Sequence, residues 1–414
     1  MPQGENGQVR ISCHNVWKIF GPNPEHALET IDEGMTKEEA QERTGHVVAV
    51  KNVSFDVHEG EVFVIMGLSG SGKSTIIRCL NRIIEPTRGQ VFLDGVDLST
   101  LSKTELIMLR RHKMCMVFQH FALLPHRTVL DNVAYGLEVQ GVDKSQRHEK
   151  GLEVLEMVGL KGWESNYPDE LSGGMQQRVG LARALSIDPE VMLLDEAFSA
   201  LDPLIRRQMQ DEFINLMSVV QKTIVFITHD LNEALKMGDR IAIMKDGEIV
   251  QIGSPEEIVA APADDYVTEF VRDVPLSKVV SVKSVMRWPQ AILYNWQGPR
   301  VASRAMKEVD VDHALVIDSK GHFKGAVMLD EVTRAIARNL SRMDEFVQAS
   351  ELQIGPDEPI EELIPLAASS GNPVAVVDEE GRLVGEVPHA ALLLGMMGEE
   401  DEEAIVKENN YSGA

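Results

Sequence analysis

"EVFVIMGLSGSGKSTIIRCL", residues 61–80, decides the fold. Residues 61–67 are a short, β-branched, apolar run that leads directly into a glycine loop, and a helical pattern follows. The loop fits G-x-x-x-x-G-K-[ST] from Gly67 to Ser74. Strand, glycine loop and helix in that order make a phosphate cradle. Its glycines let the backbone N–H groups of Gly67, Leu68, Ser69, Gly70, Ser71 and Gly72 turn inward around a phosphate. Lys73 reaches the outer phosphate oxygens, Ser74 offers a hydroxyl to a metal ion, and Thr75 is the last of the nucleotide-binding set in this loop.

Downstream lie two further buried apolar runs. "PEVMLLDE" ends on Asp195 and Glu196, and "TIVFITHD" ends on His229 and Asp230. Strands alternating with helices predict a parallel sheet covered on both faces. Residues 8–20 read as a strand-rich start. Residues 22–46 then break the β pattern, with a capping box at Thr36–Glu39 and Gly45 as a helix stop, so a small helical insertion is predicted. "KDGE" at 245–248 is a hairpin turn. "LSGGMQQRVGLARAL", 171–185, is a second helix start suited to an anion, about a hundred residues after the first.

The 414 residues are 43% hydrophobic, enough for cores in two or three domains. A net charge of -25 argues against a nucleic-acid binder, which needs a basic face. No apolar run approaches the roughly 18 residues that span a bilayer. The first ten residues carry no signal-peptide pattern. Cys13, Cys79 and Cys115 are scattered without metal-ligand spacing, as expected of reduced packing residues in the cytosol.

"GLSGSGKST", "LSGGMQQR", "VMLLDE", "SALD" and "ITHD", in this order, resemble the ATP-binding cassette (ABC) ATPases. The resemblance implies a P-loop NTPase fold of class α/β: a parallel sheet core, an antiparallel β subdomain and a helical subdomain. It implies ATP and Mg²⁺ as cofactors. Lys73, Glu196 and His229 are then catalytic. Ser74, Asp195 and Gln119 (in "CMVFQHFALLPH") hold the metal. Ser172, Gly173, Gly174 and Gln176 belong to a signature that closes over the ATP of a second copy, in a head-to-tail dimer. Asp202 couples the two sites. Phe20 is placed to stack on adenine; Trp17 competes for that role, and core packing is the alternative for both. His112, His120 and His126 carry no assigned chemistry.

"NRIIEPTRGQVFLDGVDL", "FQHFALLPHRTVLDNVAYGLE", "DEAFSALDPLIR" and the 22–46 insertion resemble the ATP-binding subunits of glycine betaine/proline betaine uptake systems. That implies integral membrane permease subunits as partners and, indirectly, a substrate-binding protein. It implies peripheral attachment at the cytoplasmic face of the cell membrane. The alternatives are an importer ATPase for another small solute, an amino acid or a polyamine, and a soluble ABC ATPase outside transport.

The expected domains are 1–273, the cassette; 274–397, a repeat module; and 398–414, an acidic tail. "ALVIDSKGHFKGAV" (314–327) and "VAVVDEEGRLVGEV" (374–387) match with Asp318, Gly321 and Gly325 recurring 60 residues on as Asp378, Gly381 and Gly385. The pair resembles tandem cystathionine-β-synthase-type (CBS) repeats. Those that bind adenine nucleotides often read G-x-x-[ST]-x-x-D. Here Met328 and Glu331, then Pro388 and Ala391, stand at the last two positions. The ribose-gripping Asp is missing from both, so a structural or ionic-strength-sensing role competes with nucleotide binding.

Overall fold

In the computed structural model the chain divides into two compact units, Met1–Val271 and Arg272–Ala414. The residues described are 7–31, 35–119, 122–199, 201–343, 347, 352–369 and 373–388. The acidic tail, His120, and Ala391 of the second repeat lie outside them.

The first unit is built on a six-stranded sheet. Its order is Glu248–Gly253, Arg240–Lys245, Val62–Met66, Thr223–Thr228, Val191–Asp195, Met114–Val117. All neighbours are parallel except the first pair, joined by the turn at Asp246 and Gly247 (φ 49° and 87°). Both faces are covered, so the strands read as continuous apolar runs and not as alternation. Phe63, Ile65, Leu193, Val225 and Ile227 share one core with Ile76, Ile77 and Leu80 of the helix Lys73–Leu80. The register matters for function. Met66 lies opposite Thr228, and Asp195 opposite Ile227. Three strands therefore end level, and the residues that follow them meet at one edge, where ligands of open α/β sheets bind.

A four-stranded antiparallel sheet, order Val47–His58, Val9–Phe20, Arg88–Leu93, Val96–Asp97, packs its Val16, Val53 and Phe55 into the same core. Phe20 pairs with Val47, so the insertion leaves and rejoins the sheet at one rung. It carries two short helices, Pro24–Thr30 and Lys37–Thr44. The predicted capping box is present, with Gly45 left-handed at the C-terminus. Ala27, Ile31 and Ala40 anchor the insertion against Trp17, Ile19 and Val48.

The second unit holds two three-stranded sheets. One is Ile292–Tyr294, His313–Ile317, Phe323–Met328; the other is Gln353–Ile354, Val374–Val377, Leu383–Val387. Each starts with a parallel pair and ends with an antiparallel one. Asp318 and Asp378 close equivalent turns, each accepting two backbone N–H groups. Phe323 N donates to Gly381 O and Leu383 N to Gly321 O, both at 3.0 Å. Those bonds exchange under the 60-residue offset, so a local two-fold relates the repeats.

Candidate active site

The phosphate loop runs from Gly67 to Gly72, and only glycine fits its ends. At Gly67 (φ 153°) a Cβ would stand 2.2 Å from Met244 O; at Gly72 (φ 107°), 2.3 Å from Ala49 O. Lys73 is buried, and its Nζ donates to Gly67 O at 2.7 Å and Leu68 O at 3.0 Å. Burial lowers its pKa, opposed by the nearby Glu196 and Asp195 carboxylates. A cleft of about 360 Å³ opens here, lined by Ser69, Gly70, Gly72, Lys73, Ser74, Thr75 and Glu196, with a further wall from Lys37, Glu38, Gln41 and Val47–Ala49.

Ser74 Oγ lies 3.2 Å from Asp195 Oδ1, while Arg78 pairs with the other carboxylate oxygen at 2.9 Å. A hydroxyl and a carboxylate oxygen so close are hard donors of the kind Mg²⁺ takes, together with phosphate oxygens and water. Glu196 follows the strand in a left-handed conformation, φ 46°. Such backbone strain in a non-glycine residue is held by its surroundings: Glu196 N donates to Ile227 O at 3.1 Å and Ser199 N donates to Glu196 O at 3.1 Å. The turn aims the side chain at the cleft. Its Oε2 stands 3.4 Å from both His229 Nδ1 and Gln119 Nε2. Gln119 Nε2 also donates to Ser199 Oγ at 3.1 Å.

Ser172 caps the helix Gly173–Ser186, accepting from Met175 N. Ser172 and Gly173 are exposed and Gly174 is buried. None of the three lines the cleft of its own chain. Gln176 faces inward, its amide donating to Pro168 O (2.9 Å) and Leu171 O (3.3 Å), so it braces the loop before the helix. Asp202 caps the helix Pro203–Val220, accepting from Leu204 N and Ile205 N. Phe20 is 42% exposed beside Val47, whereas Trp17 is 5% exposed within the insertion core. Of the two aromatics, Phe20 is the one with a face to offer.

Residues 50–199 match the family described as "ABC transporter". The chain is 48% identical over 391 residues to a glycine betaine transport ATP-binding protein of Bacillus subtilis (strain 168), covering 94% of this chain and 93% of that one. It is 48% identical to the glycine betaine/proline betaine transport system ATP-binding protein of Escherichia coli (strain K12), over 93% of this chain and 97% of that one. The chain belongs to the glycine betaine/proline betaine family of ABC transporter ATP-binding subunits. A solved dimeric ATP-binding cassette in a post-hydrolysis state, bound to ADP and Pi, matches 59% of this chain and 98% of that one, with TM-score 0.50 and 33% identity. The fold is thus the P-loop cassette of an ABC ATPase.

Within this ABC subunit several contacts escaped the sequence. Arg78 on Asp195 and Ser199 on Gln119 have no motif to announce them. Arg206 donates to Phe198 O, Ser199 O and Leu201 O and lies 3.8 Å from Asp230, tying the segment after Glu196 to the one after His229. Cys13 and Cys79 are buried and Cys115 partly so. Burial pushes the Cys79 and Cys115 thiols up to about 12, which keeps them protonated. No helix among the described residues is long and apolar enough to cross a membrane.

Proposed function

We propose that this subunit hydrolyses ATP at a head-to-tail interface with a second copy and so drives import of a glycine betaine/proline betaine-type quaternary ammonium osmoprotectant. The Glu196 carboxylate, held between His229 and Gln119 at the mouth of the phosphate loop, carries the reading. Glu196 accepts the proton of the attacking water. His229 orients that carboxylate on one side and Gln119 on the other. Lys73, drawn off the Gly67 and Leu68 carbonyls, binds the β/γ oxygens. Ser74, Asp195 and Gln119 would hold Mg²⁺, which neutralises charge on the transferring phosphoryl group. Phe20 stacks on adenine. Ser172, Gly173 and Gly174 close from the partner subunit over the γ-phosphate, where the positive helix end favours an anion. The exposure of Ser172 and Gly173, and the absence of all three from the cleft of their own chain, support action in trans.

The same reading seats the dimer on integral membrane permease subunits at the cytoplasmic face, supplied by a substrate-binding protein. The second unit is a tandem CBS module. In its first repeat Glu331 caps a helix, accepting from Met328 N at 3.0 Å, so the position that grips ribose in nucleotide-binding repeats is engaged locally. Its function is regulatory, through exposed charge: Arg300, Arg304 and Lys307 line one open groove with Glu308, which pairs with Arg304 at 2.8 Å. Ion-pair contacts of such a surface weaken as the Debye length falls from about 10 Å at 0.1 M salt to 3 Å at 1 M. Removing residues 272–414 then leaves hydrolysis and flattens the salt dependence of transport.

The test is uptake into vesicles holding the subunit with its permease and binding protein. Labelled glycine betaine accumulates on ATP addition, and excess proline betaine competes. Accumulation of an amino acid or polyamine, with glycine betaine ignored, overturns the substrate assignment.

A further inference from the structure

The inserted helix Lys37–Thr44 stands in the nucleotide cleft, and nothing in the family's motifs accounts for it. Lys37, Glu38 and Gln41 line that cleft together with Ser74 and Thr75. The wall is fixed. Ala40 is buried in the insertion core, and the capping box pins the first turn. Lys51, itself buried, donates to Met35 O at 3.2 Å and pairs with Glu248 at 2.9 Å, tying the entry of the helix to the sheet. Lys37 Nζ donates to Gly70 O at 3.0 Å. An ammonium has three N–H donors, so Gly70 uses one. Burial lowers the pKa of Lys37, opposed by the Asp246, Glu38 and Glu248 carboxylates around it.

Position along the cleft decides what this wall would meet. Phe20, beside Val47, marks the adenine end; Lys73 marks the β/γ end. Lys37 and Gln41 line the same cleft as Val47–Ala49, Lys73 and Thr75, and Val47 pairs with Phe20 across the strands, so a nucleotide running from the loop toward Phe20 would pass this wall with its sugar and α-phosphate. We infer that the insertion is part of the ATP site, with the Lys37 ammonium contacting the α-phosphate and the Gln41 amide the ribose. This rests on the reading of the Gly67–Ser74 loop as the ATP cradle.

These contacts are common to ATP and ADP and do not change as the γ-phosphate leaves. They contribute uniform binding, which appears in KM and not in kcat. A charged hydrogen bond to phosphate is worth roughly a tenfold change in affinity.

The experiment titrates ATP and ADP into the full-length chain and follows hydrolysis, for Lys37→Gln, Lys37→Arg, Gln41→Ala and Lys73→Ala. Lys37→Gln is expected to weaken both nucleotides about tenfold, with kcat falling by less than KM rises; Lys37→Arg recovers most of the loss, and Gln41→Ala loses a few-fold. If Lys37→Gln binds both nucleotides as the parent does while Lys73→Ala does not, the inference fails and the cradle stands. If Lys37→Gln lowers kcat with affinity intact, Lys37 only props Gly70, and the inference fails. If Lys73→Ala also binds normally, the cradle reading itself is wrong.

Discussion

Glu196 adopts a backbone conformation that costs a non-glycine residue about 1 kcal/mol or more, and the hydrogen bonds around it hold it there. That expense aims one carboxylate between His229 and Gln119. On the proposed role, Glu196→Gln keeps the shape and loses the base. Turnover should fall by about 10²–10⁴-fold while ATP affinity persists; near-parental phosphate release from the pure variant would refute the role. Gly72→Ala tests the loop itself. A methyl 2.3 Å from Ala49 O cannot be relieved by a side-chain rotation. The variant should lose about 1–3 kcal/mol of stability and bind ATP poorly, read by thermal melting with and without nucleotide. That most of these residues gather at one cleft was legible, because the motifs that hold them keep fixed residue types at fixed spacing within single turns. Arg78, Ser199 and Arg206 were not: each reaches the site across the tertiary fold, on contacts no local spacing encodes.

Among the elements, the helix Gly173–Ser186 has the most to reveal about assembly. Its N-terminus carries an exposed Ser172 and no partner for it in the cleft of its own chain. Gly174 is a poor site for a probe, since a Cβ there would meet Ile205 Cγ2 at 2.6 Å and disturb the chain itself. Ser172→Arg is cleaner. A dimer of one Lys73→Ala chain and one Ser172→Arg chain keeps one whole composite site. A dimer with both changes in a single chain has two damaged ones. Only the first should trap ATP, at one equivalent per dimer, by filter retention; equal trapping in both would refute closure in trans. The insertion illustrates the limit of sequence reading at this scale. Its capping box and glycine stop were plain, but its eight-residue helix shows no strong apolar face, so nothing local said which side meets the phosphate loop. Phe20 was preferred to Trp17 on its place before Gly21, with Trp17 left as a competitor because strand alternation is interrupted between them by irregular pairing; burial sets them apart.

At the scale of the whole molecule, the second unit is a duplication whose symmetry is broken at one buried cluster among the described residues. Asp318 and Asp378, and the reciprocal Phe323–Gly381 and Leu383–Gly321 bonds, were foreshadowed by the 60-residue offset. The break was not. Glu386, 1% exposed, accepts from His313 Nε2 at 3.2 Å and Arg287 Nε at 3.1 Å, joining the two repeats. The positions 60 residues away are Ala326, Pro373 and Val347, so no second copy of the cluster exists. A buried carboxylate needs its partners, and the consequence is a pH dependence with a definite sign. The hydrogen bond to Glu386 raises the His313 pKa, assisted by Asp312 and opposed by burial. An imidazole whose folded pKa exceeds its unfolded value of about 6.5 stabilises the fold fully below that value. The contribution disappears as pH rises through the raised pKa. The parent melting temperature should therefore drop as pH climbs above about 6.5. Glu386→Gln keeps the volume and removes the charge that holds the proton on His313, so it should melt lower at about pH 6 and lose that slope. His313→Gln should lose the slope as well, and the double variant should add nothing further, because both changes dismantle one proton site. A parent slope that survives in Glu386→Gln would place the titrating group elsewhere in the chain.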